Sequence, residues 1–120
     1  MHTGGVIGLG GIGGVEIELI EPLRGTAPLH AEPLPTDGSF AIRFHHVAMR
    51  IDGALADYEA HMASLDPVLH PVVWTGAMGD VMRYAYTDER ATLGHYVEHV
   101  WFDAGFYGQL AAAIPVYPAR

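Results

Sequence analysis

Apolar and acidic residues alternate in the segment VEIELIE, which begins at Val15. A period of two directs successive side chains to opposite faces of a strand, so Val15, Ile17 and Leu19 share one face, and Glu16 and Glu18 lie on the other. Pro22 has no backbone N–H to continue the pairing. The pattern therefore predicts a strand over residues 15–22.

From residue 40 onward, alternating segments predict strands, and a single amphipathic period interrupts them. Apolar residues recur at i, i+3, i+7 and i+10 from Leu55, which predicts a helix with Asp52 as its N-cap and an end near Pro67. Asp103 is the predicted cap of a last helix, which Pro115 ends. The predicted order is β-α-β-β-β-α, with strands over 40–51, 68–74, 81–86 and 95–102, and a turn over 76–80.

Two segments lack either period. Glycine dominates residues 1–14, and prolines and glycines recur over residues 23–39. We predict an irregular arm for the first segment and a linker for the second. The arm contains Gly8-Leu9-Gly10-Gly11-Ile12-Gly13, which fits the G-x-G-x-x-G pattern of dinucleotide-binding units. No amphipathic helix follows the motif, so we disfavour that function.

Composition limits the classes of function. The chain has 120 residues, no cysteine and a net charge of −8 with neutral histidines. Such a length suits one domain, and the missing thiols exclude disulfides and thiolate metal sites. Negative charge disfavours binding to nucleic acid or to anionic membranes. A soluble, cytoplasmic protein without a membrane span is the expectation.

Three strands carry residues of the types that bind metals. Glu18, His46 and Glu98 each lie in a strongly apolar segment, where a carboxylate is unfavourable unless it is paired or bound to a metal. One imidazole with two carboxylates suits a divalent zinc, iron, nickel, cobalt or manganese ion. The alternative is structural: the glutamates lie on a solvated strand face, and His46 is a hydrogen-bonded core residue.

Three segments together resemble the vicinal oxygen chelate superfamily, the fold of glyoxalases, bleomycin-resistance proteins and related dioxygenases. They are IELIEPL, FHHVAMRIDGALADYEAHM and GDVMRYAYTDERATLGHYVEHVWF. The glyoxalase-like and methylmalonyl-CoA-epimerase-like branch is the most similar. The resemblance covers residues 15–22 and 40–113.

The resemblance implies an α+β fold in which βαβββ modules pair as an open barrel around a metal. In that family the ligands come from the first and last strands of each module. His46-Val47-Ala48 matches the first-strand pattern, and Glu18 and Glu98 match the last-strand pattern. Glu98 would then be both ligand and catalytic base. The implied organisation is an arm (1–14), the last strand of a first module (15–22), a linker (23–39), a second module (40–102) and a final helix (103–114).

Most of the first module has no counterpart in this sequence. Its first strand, its helix and its middle strands would have to come from somewhere else. A truncated product, a fragment and a protomer completed by a partner all remain open. An open half-barrel exposes sheet edges and apolar surface, so we expect a homodimer or a higher oligomer.

Two functions follow from the resemblance. The first is a metal-dependent isomerase, epimerase, lyase or dioxygenase that acts on a small oxygenated substrate. The second is a non-catalytic protein of the same fold that binds an antibiotic-like small molecule. Arg83, Trp74 and Tyr96 are the candidate substrate contacts, because an arginine can hold a carboxylate and the aromatic side chains can pack against a ligand.

Overall fold

A computed structural model of the chain describes residues 5–12, 15–22 and 28–117. The chain divides into two compact units, one formed by residues 44–107 and the other by the described residues up to Arg43 together with 108–117. The predicted α+β class is confirmed. The described elements are β1 (Gly5–Ile12), β2 (Val15–Pro22), α1 (Pro28–Ala31), β3 (His46–Arg50), α2 (Leu55–Ala63), β4 (Val72–Met78), β5 (Met82–Asp88), β6 (Tyr96–Phe102), α3 (Ala104–Ala113) and β7 (Val116–Tyr117).

The unit of residues 44–107 contains a four-stranded sheet in the order β3-β6-β5-β4. β3 runs parallel to β6, whereas β5 pairs antiparallel with both β6 and β4. Parallel neighbours need a long crossover, and here the connection includes α2. The β-α-β-β-β order that the sequence predicts is therefore confirmed for this segment.

The two faces of this sheet differ because side chains alternate along β6. His99 and Trp101 lie on the face that α2 covers, which we call the helix face. Tyr58 of α2 donates a hydrogen bond from its hydroxyl to the His99 carbonyl at 3.2 Å. The Trp101 indole donates to the carbonyl of Gly53 at 2.8 Å, just before the helix. The opposite face carries Glu98, and we call it the site face.

The cap predicted for α2 is wrong, whereas the cap predicted for α3 is confirmed. The N-cap of α2 is Ala54, whose N–H donates to the Asp57 carboxylate at 2.7 Å. Asp52 instead accepts a hydrogen bond from Arg50 at 2.9 Å. Asp103 caps α3, because its carboxylate accepts the N–H of the third residue along the helix at 3.2 Å. The carboxylate that accepts an N–H at the start of α2 is therefore that of Asp57, within the first turn, and not that of Asp52, before the helix.

The strand predicted over 40–51 is shorter than expected, because its first half pairs with no strand among the described residues. β3 begins at His46, which pairs with the first residue of β6, Tyr96. The alternation of Phe40, Ile42 and Phe44 continues before that point, but their side chains are 89, 72 and 69% exposed. A strand requires a paired partner as well as a period of two.

The strand predicted over 68–74 begins later, at Val72, and extends to Met78, so that only the second part of the turn predicted over 76–80 is a turn. The carboxylate of Asp66 accepts the N–H groups of Val68 and Leu69, at 2.8 and 3.2 Å, and this holds the preceding residues in a turn. The turn that ends β4 falls at Gly79, whose φ of 50° suits glycine.

The second unit contains a three-stranded sheet in the order β2-β1-β7. The strand predicted over residues 15–22 is confirmed as β2. The irregular arm is wrong over residues 5–12, which form β1 and pair antiparallel with all of β2. The linker predicted over 23–39 includes the short helix α1. Residues 1–4, 13–14 and 23–27 of those predicted segments lie outside the described residues.

None of the described helices has the length and apolar character needed to cross a bilayer.

Gly76 lies directly beside an aromatic ring on the neighbouring strand. It pairs with Tyr84, and a Cβ added at this glycine would overlap the Tyr84 ring. We predict that Gly76→Ala lowers the free energy of unfolding by about 1–3 kcal/mol, the usual effect of overpacking. Urea denaturation measures this change.

The matched control is Gly108→Ala in α3, where an added Cβ would meet no neighbouring atom. That substitution should leave stability unchanged or raise it by up to about 1 kcal/mol through helix propensity. Adding Tyr84→Leu should recover part of the loss at Gly76. Equal effects at the two glycines would contradict the proposed overlap.

Candidate metal centre

His46 and Glu98 meet on the site face because β3 and β6 are parallel and in register. Glu98 pairs with Ala48, two residues after His46, so all three side chains leave the same face. The short side chain of Ala48 leaves room for the imidazole to lean toward the carboxylate. His46 Nε2 lies 3.6 Å from Glu98 Oε1, and the two side chains are only 10 and 15% exposed.

This separation matches the spacing of two ligands on one cation. A nitrogen–oxygen hydrogen bond spans about 2.7–3.2 Å, so 3.6 Å is too long for one. Two ligands that each lie about 2.1 Å from a tetrahedral cation are about 3.4 Å apart. The imidazole of His46 and the carboxylate of Glu98 therefore fit a divalent cation in both atom type and spacing.

Two buried tyrosines line this part of the site face. Tyr86 pairs with Glu98 across β5 and β6 and is 3% exposed, and Tyr96 is 6% exposed. The His46 ring stands edge-on to the Tyr86 ring, with centroids 5.0 Å apart. Surroundings this apolar lower the local dielectric constant and strengthen every charge interaction within them.

His45 also belongs to this cluster, although the sequence analysis gave it no role. Its Nδ1 lies 2.8 Å from His46 Nδ1, and its carbonyl accepts the Tyr96 N–H at 3.0 Å. The ring packs on the Tyr96 ring at a centroid distance of 5.0 Å. Because His45 precedes β3, strand alternation does not decide its direction. Adjacency to His46 was the only signal in the sequence.

Two of the three predicted substrate contacts share the site face with Glu98. Trp74 pairs with Tyr86 on the far side of β5, and Tyr96 lies on β6 itself. The Trp74 indole N–H is buried and has no hydrogen-bond partner among the residues that the structure describes. This indole N–H of Trp74 is therefore a donor suited to a ligand oxygen. At Tyr96, the guanidinium of Arg90 lies 4.9 Å above the ring.

The third predicted contact, Arg83, lies on the helix face. It pairs with Trp101, and its guanidinium donates to the Met82 carbonyl at 3.0 Å. There it lines an open pocket of about 610 Å³ together with Tyr58 and Met62 of α2. The sheet therefore separates Arg83 from Glu98, and the structure does not bring these two residues together.

Glu18, the remaining predicted ligand, belongs to the other compact unit. It lies in the middle of β2, opposite Leu9 of β1. Its backbone position is the one that the alternating sequence predicts. That it shares a cation with His46 and Glu98 stays a prediction.

The helix face carries a different set of histidines. His99 is 4% exposed, and both of its ring nitrogens have partners: His61 at 2.9 Å and the Thr87 hydroxyl at 3.0 Å. Nearby, His70 contacts the buried Glu89 carboxylate at 2.9 Å. Burial and the neighbouring His61 hold the pKa of His99 below its ordinary value of 6.5. Although burial opposes it, hydrogen bonding to Thr87 and His70 keeps the pKa of Glu89 low.

Burial and charged neighbours also shift the pKa values of Tyr58 on α2 and of Asp88 on β5. Burial, assisted by the negative charge of Glu98, raises the pKa of Tyr58 to about 12, so its hydroxyl stays protonated and can donate to the His99 carbonyl. The carboxylate of Asp88 is paired with Arg90 at 2.8 Å, which lowers the pKa of Asp88. These groups hold the sheet and its loops together.

Comparison with known proteins gives no family assignment, because no family model, curated protein or solved structure matches this chain. Function must therefore be argued from the site itself.

The structure also disfavours dinucleotide binding at the glycine motif. Gly8–Ile12 of that motif lies inside β1, and the next described element is another strand. A phosphate-binding motif would lead into a helix instead.

The low pKa of His99 predicts that acid destabilises the fold. Below pH 6.5 the unfolded chain takes up a proton that folded His99 resists, so the free energy of unfolding falls until the pH passes the folded pKa. One such group contributes a slope of up to about 1.4 kcal/mol per pH unit. His99→Asn should show a smaller slope in urea denaturation between pH 6.5 and 5. Equal slopes in the two proteins would contradict this.

Proposed function

We propose that the protein is a divalent-metal-dependent enzyme of the glyoxalase-like kind that acts on a small oxygenated substrate. Isomerase, epimerase, lyase and dioxygenase chemistry all fall within this proposal. The observation that carries it is the pair of His46 and Glu98, two shielded side chains held 3.6 Å apart. An imidazole nitrogen and a carboxylate oxygen at that distance match the ligand types and the spacing of a divalent-cation site.

His46 would contribute its Nε2 and Glu98 its Oε1 to the cation. The resemblance adds Glu18 as a third ligand, through its match to the last-strand motif, and this assignment rests on the sequence alone. An imidazole with carboxylates suits zinc, iron, nickel, cobalt or manganese rather than a soft, thiolate-seeking metal.

A bound divalent cation would supply a fixed positive charge that stabilises negative charge developing on a substrate oxygen. The protein's own part is to move a proton. Glu98 has a second carboxylate oxygen, and in our proposal it takes a proton from the substrate carbon and returns it, or passes it on.

The neighbouring side chains on the site face would shape the substrate pocket. Tyr86 and Tyr96 exclude water from one side of the carboxylate, which strengthens its interaction with a developing charge. The indole N–H of Trp74 would donate to a substrate oxygen, and such a bond offsets the penalty of about 1–3 kcal/mol for an unsatisfied buried donor.

We also propose that the protein works as a homodimer or a higher oligomer. β3 is an edge strand of its sheet, and the segment before it exposes Phe40, Ile42 and Phe44. An edge strand and exposed alternating apolar residues each favour association with another chain.

Removing either ligand should remove the metal. We expect wild-type protein to bind close to one equivalent of Co²⁺, and His46→Ala and Glu98→Ala to retain less than about a tenth of the affinity, since each loses a ligand. Calorimetric titration and metal analysis measure this change. Glu18→Ala tests the third ligand in the same assay.

The matched control is His70→Ala, which breaks a histidine–glutamate contact on the helix face. Its metal affinity should equal that of the wild type. Unchanged metal binding in His46→Ala and Glu98→Ala would contradict the proposed site. Wild-type protein that binds no metal would favour the second function, a metal-free small-molecule binding protein of the same fold.

The oligomer proposal is tested by solution mass. Light scattering coupled to gel filtration should give at least twice the monomer mass of 13.0 kDa. Phe40→Glu should shift the mass toward the monomer, because it places charge in the exposed apolar segment. The control Leu69→Glu, at a 69% exposed position elsewhere, should not. A monomeric wild type would refute association.

A further inference from the structure

The pocket on the helix face arises from small side chains beside a helix. α2 packs chiefly over β6, where Tyr58 donates to a backbone carbonyl. Farther out, the helix face of β4 and β5 carries small residues: Thr75 pairs with Ala85, and Ala77 pairs with Arg83. A floor of small residues next to the wall of α2 leaves an open cleft of about 610 Å³. Sites for small molecules have volumes of this order.

The lining of this cleft is mostly apolar, with a charge at one end. Met62 of α2 and Val72 of β4 contribute aliphatic surface. Among the described residues that line the cleft, Arg83 is the one charged side chain. Its pairing partner Ala77 lies five positions from Val72 along β4, which is about 17 Å at the rise of a strand. The cleft is therefore elongated, and its positive charge lies away from the Val72 end.

The guanidinium of Arg83 is held in place through one of its three nitrogens. Nη1 donates to the carbonyl of Met82 at 3.0 Å and to that of Gly79, both at the turn that joins β4 to β5. Nη2 lies 3.9 Å from the fully exposed carboxylate of Asp80, which is beyond hydrogen-bond distance. The edge formed by Nε and Nη2 makes no hydrogen bond to the residues that the structure describes. Such an edge can bind a carboxylate through two parallel hydrogen bonds.

Charge complementarity identifies the kind of ligand. The chain carries a net charge of −8, yet no carboxylate lies among the described residues of the lining. Burial and the charge of Glu98 raise the pKa of Tyr58 to about 12, and the nearby positive charge of Arg83 acts in the opposite direction. The charge of Arg83 therefore acts as far as the α2 wall. It would repel a cationic ligand, and a neutral ligand would leave the guanidinium edge without a charged partner.

We propose that this cleft binds a small monocarboxylate with an extended apolar tail. The carboxylate pairs with the Nε–Nη2 edge of Arg83, and the tail lies along β4 toward Met62 and Val72. The exposed ion pair with Asp80 contributes little and is easily displaced, whereas the tail removes apolar surface from water. The site does not depend on the proposed metal centre, because the sheet separates Arg83 from Glu98.

Calorimetric titration with decanoate, kept below the concentration at which it forms micelles, tests the cleft. We expect the wild type to bind decanoate at a single site. Butyrate has the same carboxylate and a short tail, and decanol has the same tail and no charge. Each should bind at least about 10-fold more weakly. Equal affinity for decanoate and decanol would overturn the role of Arg83, and a wild type that binds no decanoate would overturn the whole proposal.

Arg83→Gln removes the charge and keeps a polar side chain. It should lower the affinity for decanoate at least about 10-fold and leave that for decanol unchanged. The matched control is Arg50→Gln, which removes an arginine paired with Asp52 outside the lining of the cleft. This control should bind decanoate as the wild type does. Equal losses in the two variants would overturn the proposal.

Ala77→Leu tests the floor of the cleft without changing its charge. The larger side chain occupies the space of the tail, so decanoate binding should weaken as strongly as in Arg83→Gln. Urea denaturation should remain that of the wild type, because Ala77 is exposed. The control is Ala60→Leu, at an exposed position of α2 outside the lining. Wild-type decanoate affinity in Ala77→Leu would show that the tail lies elsewhere and would overturn the proposal.

The Nε–H signal of Arg83 reports on the contact directly. In ¹H–¹⁵N spectra it is assigned by its loss in Arg83→Gln. Saturating decanoate should move this signal downfield, and decanol should not. An unmoved signal in the saturated protein would overturn the assignment of Arg83. His46→Ala and Glu98→Ala should bind decanoate normally, so a failure of the proposed metal site is distinguishable from a failure of this one.

Discussion

The parallel pairing of β3 with β6 is the constraint on which the candidate site depends. In this register Ala48 lies beside Glu98, and His46 therefore leaves the sheet on the same face as the carboxylate. A slip of one residue would send Glu98 to the helix face and His99 to the site face. β6 is also paired along its length with β5, and that pairing places Tyr86 on the same face as Glu98.

The same sheet carries two histidine–glutamate pairs with opposite character. On the helix face, His70 and Glu89 are 2.9 Å apart, which is a hydrogen bond. On the site face, His46 and Glu98 stay 3.6 Å apart although both are shielded from solvent. The two pairs therefore differ in spacing: the first lies at hydrogen-bond distance and the second at a longer, ion-pair distance.

The sequence predicts strands well where polar and apolar side chains alternate and a partner is present. It fails where either condition is missing. β1 was missed because glycines carry no side chain to reveal a period, yet its backbone pairs fully with β2. Phe40, Ile42 and Phe44 carry the period without a partner and form no strand.

For the candidate site, the sequence indicates which residue types are of interest, but it indicates only in part on which face of the sheet each side chain lies. His46 and Glu98 were chosen because polar residues stand out in apolar strands, and parallel pairing brings them to one face. Arg83 was chosen for the chemistry of its guanidinium, and its face depends on the register of β5, which no local pattern reveals. His45 was missed because its direction is set by the end of a strand, and strand ends are the least predictable positions in a sequence.

The placement of the two tryptophans gives the sheet an optical marker on each face. Trp101 lies on the helix face with its indole hydrogen-bonded to Gly53, and Trp74 lies on the site face with a buried indole that has no such bond among the described residues. The chain contains no other tryptophan. Variants that retain only Trp74 or only Trp101 would therefore give fluorescence that reports on opposite sides of one layer.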